Sequence, residues 1–213
     1  MKTFLAFVAL GVAALALTRH GEPVVKSKAG TRPGGVAAGA KHPLKPKPGD
    51  RLAAFSGGCF WGTESNFRKV PGVVATAVGY TGGHTANPTY ESVCTHTTGH
   101  AETVLVEYDP KRVSYGKLLE YFWSIHDPMQ VGGQGPDMGD SYRSAIWTYG
   151  EDEQKEAVAS MAAQEKNEHG KFTTSVKPAQ TFWLAEDYHQ QYAEKVGYDT
   201  CPAPRFKVNL GKV

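Results

Sequence analysis

His100-Ala101-Glu102-Thr103-Val104-Leu105-Val106-Glu107-Tyr108 is the stretch on which the fold turns. Its residues alternate with a period of two, so Glu102, Val104, Val106 and Tyr108 share one face of a strand, and Thr103, Leu105 and Glu107 share the other. Asp109-Pro110 closes it. If the first face packs inward, Glu102 is a carboxyl in apolar surroundings: lost hydration disfavours its anion, raises its pKa and lets it donate a proton near neutral pH. A strand-end glutamate pointing into water is the alternative for the same residue.

Around this strand the chain mixes helices and strands without strict βαβ repetition. Leu52 to Phe55 reads as a buried strand, and 59–69 as a helix with Glu64 and Arg68 paired at i, i+4. Val73 to Tyr80, β-branched and apolar, reads as a central strand. Ser114 caps an amphipathic helix carrying Leu118, Leu119, Phe122 and Ile125, which stops at Asp127-Pro128. The Gly-rich stretch 129–141 has no periodicity and reads as a loop long enough to be functional. Then follow a strand over 143–149, a helix over 151–169 with an acidic first turn, an extended stretch over 173–184 interrupted at Pro178, and a final helix over 186–196. The fold class expected is α+β, a two-layer sandwich in which a ferredoxin-like sheet carries helices on one side.

The second informative stretch is Gly57-Gly58-Cys59-Phe60-Trp61-Gly62, where an apolar strand gives way to a helix. A thiol at a helix N-terminus feels the positive end of the macrodipole and the free N–H groups, which favours its thiolate and makes Cys59 a candidate nucleophile. Of the three cysteines, Cys59, Cys94 and Cys201, at least one must be free. They are too few and too far apart for a disulfide framework.

The ends differ from the middle. Residues 1–18 combine Lys2, a short apolar run to Leu17 and the small-x-small pattern Ala14-Leu15-Ala16, as a secretory signal does. Residues 19–50 hold seven Lys or Arg against Glu22 and Asp50, with many Gly and Pro, and read as a disordered basic linker. A domain over 51–200 and a tail over 201–213 follow. Export to the periplasm or the medium is the expected location, with membrane tethering only if the signal stays uncleaved. From Arg51 onward 15 Lys or Arg face 19 Asp or Glu, a net charge of −4, so the domain carries no footprint for nucleic acid. The glycines at 79–83 and 132–139 do not follow G-x-G-x-x-G between strand and helix, so no flavin or nicotinamide is expected.

Four motifs in order, Gly57-Gly58-Cys59-Phe60-Trp61-Gly62, the run from Asn87 to Cys94 with Thr98-Gly99-His100-Ala101-Glu102, Asp137 with Tyr142-Arg143-Ser144-Ala145-Ile146, and Ala185-Glu186-Asp187-Tyr188-His189-Gln190-Gln191-Tyr192, resemble peptide methionine sulfoxide reductases of the A type. The match covers nearly the whole domain. The resemblance implies that Cys59 attacks the sulfur of a methionine S-sulfoxide, free or in protein, and becomes a sulfenic acid, while Glu102 protonates the oxygen. It implies that Tyr90 and Tyr142 hydrogen-bond that oxygen, that Asp137 orders the pocket through water, and that Phe60 and Trp61 wall a niche for the S-methyl group. These roles suit the chemistry, since a sulfoxide oxygen leaves poorly until protonated and aromatic walls exclude water.

Many members of that family resolve the sulfenic acid with a cysteine in a Gly-rich tail. Here Cys201 in Asp199-Thr200-Cys201-Pro202 is the one candidate, for reduction afterwards by thioredoxin or another dithiol; direct reduction of Cys59 by an external thiol is the alternative. Cys94 with His96 and His100 makes a weak metal pattern, and the resemblance implies a buried, inert thiol there and no metal. A monomer without a bound cofactor is expected. Two rivals stay open: a secreted cysteine hydrolase pairing Cys59 with His189 or His126 as base, and a metal-binding or adhesive module without catalysis.

Overall fold

The computed structural model describes residues 32–33, 44–197 and 204–210, so the signal-like segment, most of the linker and Cys201 lie outside the described residues. In chain order the elements are β1 (Arg32–Pro33), β2 (Arg51–Gly57), α1 (Phe60–Phe67), β3 (Val73–Thr81), α2 (Tyr90–Cys94) and β4 (Ala101–Tyr108). They continue with α3 (Tyr115–Ser124), β5 (Gly133–Gln134), β6 (Asp137–Met138), a 3-10 turn (Asp140–Tyr142), β7 (Ser144–Thr148), α4 (Glu151–Glu168), β8 (Ser175–Pro178), β9 (Trp183–Leu184) and α5 (Tyr192–Val196).

The main sheet runs β1-β3-β4-β2-β7-β8, with β9 also on β3. Strand β4 pairs antiparallel with both β2 and β3, so β2–α1–β3 is a parallel pair held one strand apart, the split βαβ arrangement of ferredoxin-like sheets. β3 has neighbours on both sides, as a strand buried along nearly its whole length requires. The α+β expectation holds. One apolar cluster joins Phe55, Val104, Val106 and Tyr108 of the sheet to Phe60 and Phe67 of α1, Leu118, Leu119 and Phe122 of α3, and Ala157 of α4. A smaller one, with Ala54, Ala77, Leu105, Trp147 and Phe182, covers the other face. Glu102 thus faces the helical layer, with Val104 and Val106, as the alternation requires.

Several local expectations are corrected. The final helix spans only Tyr192–Val196. Residues 186–191 form turns because their side chains serve elsewhere: the Gln190 amide donates to the carbonyls of Val78 and Ala185 and accepts from the Val78 N–H, standing in for a strand neighbour. The loop 129–141 contains the β5–β6 hairpin, and α2, capped reciprocally by Thr89 and Ser92, was not expected. The extended stretch does break at Pro178, but its halves lie on different strands, β8 parallel on β7 and β9 antiparallel on β3. Arg68 pairs with Glu194 of α5 at 2.8 Å, while the buried Glu64 accepts from Thr76 and from Gln191. Downstream of Cys201, the Arg205 N–H donates to Ser124 O, and its guanidinium reaches His126 O and Glu168, so the last described segment is fastened to α3 and α4.

Candidate active site

Strand β2 ends at Gly57, the chain turns at Gly58, and Cys59 is the N-cap of α1. Gly58 has φ +88°, and a Cβ there would lie 2.6 Å from Cβ and Cγ of Gln134. Only glycine lets the β5–β6 hairpin come this close to the cysteine. Gln134 is itself held, accepting from Asp127 N at 2.9 Å and donating to Asp127 O at 2.8 Å. The hairpin is therefore a fixed wall, and it carries Asp137.

The first N–H groups of a helix have no partner within it. They serve two acids: Phe60 N–H donates to Glu102 Oε2 at 2.9 Å, while the N–H groups of Trp61 and Gly62 lie close enough to the Cys59 sulfur to favour its anion. Glu102 is 2% exposed. Burial pushes its carboxyl up to about 8, against the pull of the Phe60 N–H and with help from the charge of Asp137. It is a neutral acid at pH 7.

Cys59 corrects the sequence reading. Burial, and then the Glu102 charge, push its thiol up to about 12, although the Trp61 and Gly62 N–H groups pull it down. Two N–H groups at the end of an eight-residue helix do not outweigh lost hydration beside a carboxyl, so at rest the sulfur keeps its proton.

Phe60 is buried, and its ring lies 5.8 Å from Tyr80 and 5.0 Å from His189, centroid to centroid. Trp61 stacks on Tyr192 at 3.9 Å and 13°, and its indole N–H donates to His189 Nδ1 at 2.8 Å. Behind this wall the Glu186 carboxylate accepts from Tyr80 O–H at 2.9 Å and from Tyr90 N–H at 2.8 Å. These donors hold Glu186 below the usual carboxylate range despite the opposing effect of burial. Both Tyr90 and Tyr142 have phenols raised by burial and by nearby acids, Glu102 among them, so they are neutral donors. Tyr142 is within electrostatic reach of Cys59, Glu102 and Asp137 together. The structure thus gathers Cys59, Phe60, Trp61, Tyr90, Glu102, Asp137 and Tyr142 around one helix end.

Cys94 is exposed, where a buried thiol was expected, and bonds the Tyr90 hydroxyl, because α2 is a single turn at the surface. His96 bonds Ser141 Oγ at 2.9 Å and His100 bonds Thr85 O and Gly83 N, so the Cys-His-His pattern is spent on loop contacts. Among the described residues no group of three or more His, Cys, Asp and Glu side chains is placed to hold a metal. Both hydrolase bases are also engaged. His126 uses Nδ1 on Phe122 O and Nε2 on Ser144 Oγ, each at 2.7 Å, and His189 Nδ1 is occupied by Trp61. Burial pushes both imidazoles down to about 4. Neither can take a proton from Cys59.

Glu186 and Tyr80 were not singled out from sequence, and His189 was weighed only as a hydrolase base. The polar run Glu186-Asp187-Tyr188-His189-Gln190-Gln191, within the stretch read as a final helix, was the available signal.

The family described as peptide methionine sulfoxide reductase matches residues 51–209. The chain is 54% identical over 155 residues to a peptide methionine sulfoxide reductase MsrA of Methanosarcina acetivorans, covering 71% of this chain and 82% of that one. It is 50% identical over 151 residues to the MsrA of Geobacter sulfurreducens, covering 70% and 93%. Among solved structures it resembles methionine sulfoxide reductase A of Corynebacterium diphtheriae, with TM-score 0.68 and 34% identity over 84% of this chain and 94% of that one. It also resembles Mxr1 of Saccharomyces cerevisiae in complex with Trx2, with TM-score 0.52 and 25% identity over 76% and 93%. Family match, identity and fold agree with the site's geometry: the chain belongs to the peptide methionine sulfoxide reductase family, of the MsrA type.

Proposed function

We propose that this peptide methionine sulfoxide reductase acts on the S epimer by a thiol–acid pair, Cys59 and Glu102, mounted on the N-terminus of α1. As the Cys59 sulfur attacks the sulfoxide sulfur, Glu102 gives its proton to the oxygen, and its new carboxylate takes the proton of the thiol. Two electrons reduce the sulfoxide to the thioether, Cys59 keeps the oxygen as a sulfenic acid, and Glu102 ends protonated as it began. Because burial holds the resting thiol neutral, deprotonation accompanies attack rather than preceding it. Tyr90 and Tyr142 hold the oxygen without adding charge, Asp137 orders the polar side, and Phe60 and Trp61 receive the methyl group.

Cys201 then attacks the sulfenic sulfur and releases water, and a thioredoxin-type dithiol reduces the disulfide. The Mxr1–Trx2 complex supports such a reductant. We also propose export: the family match begins at residue 51, which leaves the apolar start and the basic segment outside it. Among the described residues no helix is long and apolar enough to cross a membrane.

The observation that carries this reading is the Phe60 N–H bond to a buried Glu102 beside the thiol of the N-cap residue. It is tested by counting thiols before and after one equivalent of methionine S-sulfoxide. The wild type should lose two, Cys201→Ser one, and Cys59→Ser none with no thioether formed. Thioether release by Cys59→Ser overturns the mechanism, and loss of one thiol in the wild type overturns the role of Cys201.

A further inference from the structure

His96 has a left-handed backbone, φ +58°, a conformation that glycine adopts freely and that crowds the Cβ of any other residue. A histidine there costs stability, and such strain persists where the surrounding structure holds it for a gain elsewhere. The gain is a contact between two segments far apart in sequence.

His96 directly follows α2: its N–H donates to Val93 O at 2.9 Å, so its place is fixed relative to Tyr90 at the start of that turn. Its imidazole packs on Gly139, where a Cβ would fall 2.3 to 2.5 Å from Cε1, Nδ1 and Nε2, so only glycine admits the ring. Nδ1 bonds the Oγ of the buried Ser141 at 2.9 Å, and the ring meets Tyr142 edge-on at 6.0 Å and 61°. Gly139 caps the 3-10 turn that holds Ser141 and Tyr142, and the Tyr142 N–H closes it on Gly139 O at 3.0 Å. On its other flank the turn is tied by Arg143, which donates to Gly99 O at 2.9 Å. One imidazole therefore joins the segment that carries Tyr90 to the turn that carries Tyr142. On the reading of function given above, these are the two phenols that hold the sulfoxide oxygen.

We propose that His96 is a positioning residue which, by bonding Ser141 and packing on Gly139, fixes the Tyr142 turn against α2 and so sets the spacing of the two phenols around the oxygen that Glu102 protonates. Two donors on separate segments hold that oxygen at one point before the acid only when the distance between them is constant.

The test measures kcat/KM for methionine S-sulfoxide in the wild type, His96→Gly, His96→Asn, Tyr142→Phe and the double variant of His96→Gly with Tyr142→Phe. Glycine relieves the backbone and removes the tie, so His96→Gly should lose about tenfold. Asparagine tolerates the left-handed backbone and offers an amide atom to Ser141 Oγ, so His96→Asn should stay within about threefold of the wild type. In the Tyr142→Phe background His96→Gly should cost less than about twofold, because the hydroxyl it places is already gone. Should His96→Gly not fold, Ser141→Ala, which removes the partner and leaves the backbone alone, is expected to show the same loss and the same coupling to Tyr142. An unchanged kcat/KM in the variant without the tie, an equal loss in His96→Asn, or the full loss repeated in the Tyr142→Phe background overturns the role of His96 alone. A wild type that reduces no methionine sulfoxide overturns the functional reading with it.

Discussion

Strand β4 buries two glutamates, and they have opposite surroundings. Glu102 and Glu107 are 2% and 0% exposed, on opposite faces of the strand. Glu107 accepts from the backbone N–H of Lys47, in the basic stretch that leads into β2. Glu102 faces aromatic rings, the Cys59 thiol and the acidic Asp137, with one backbone donor at Phe60. Burial alone does not make a proton donor. What makes Glu102 one is its place beside the Cys59 thiol and the acidic Asp137, at a site where a proton is needed.

The widest separation between the two is expected in rate. Glu102→Gln keeps the shape and can still accept from Phe60 N–H, but has no proton to give, so the single-turnover rate of thioether release should fall about 10²- to 10⁴-fold. Glu107→Gln should leave that rate within about twofold, with any effect confined to melting temperature. Equal losses in rapid-quench measurements would dissolve the contrast.

A third buried glutamate, Glu64, sharpens it from the structural side. Thr76 O–H and both the N–H and the amide of Gln191 donate to it, joining α1 to β3 and to the turn before α5. Glu64→Ala leaves these donors unpaired and should cost about 3 kcal/mol, measured by urea unfolding.

The pH dependence carries a definite sign. The Glu102 pKa rises from 4.5 to about 8 on folding, so between those values the folded protein holds a proton that the unfolded chain releases. Stability therefore decreases as pH rises through that window, and Glu102→Gln should gain in melting temperature over the wild type between pH 6 and 9. The rate of the reductive step should fall above about pH 8 in the wild type, with no such limb in Glu102→Gln. The smallest effect belongs to the exposed Lys155–Glu151 pair, 73% and 89% exposed, where Lys155→Ala should change stability by less than about 0.5 kcal/mol.

What was legible in the sequence was what local pattern determines. Alternation placed Glu102 on one face with Val104 and Val106, because strand geometry leaves no other choice, and the helical core shows that face to be the inner one. Ser114 caps α3 through the Lys117 N–H, and α4 begins on its three acids, as read. What was not legible depends on contacts distant in sequence. The state of the Cys59 thiol is decided by burial and by Glu102, 43 positions away, rather than by its own helix. Arg68 makes its ion pair with Glu194 from α5 and reaches Glu64, one turn before it, as a nearby charge. Glu186 to Gln191 abandon the helix their composition allows because Glu186, His189 and Gln190 each bond a different strand or wall residue.

The account rests on a carboxyl at residue 102 that stays protonated at neutral pH, and the carboxyl carbon of that residue reports it directly. A titration of the side-chain carboxyl ¹³C resonance, assigned by its absence in Glu102→Gln, should give a midpoint near 8 in the wild type. A midpoint near 4.5, the ordinary value for a glutamate, would contradict it.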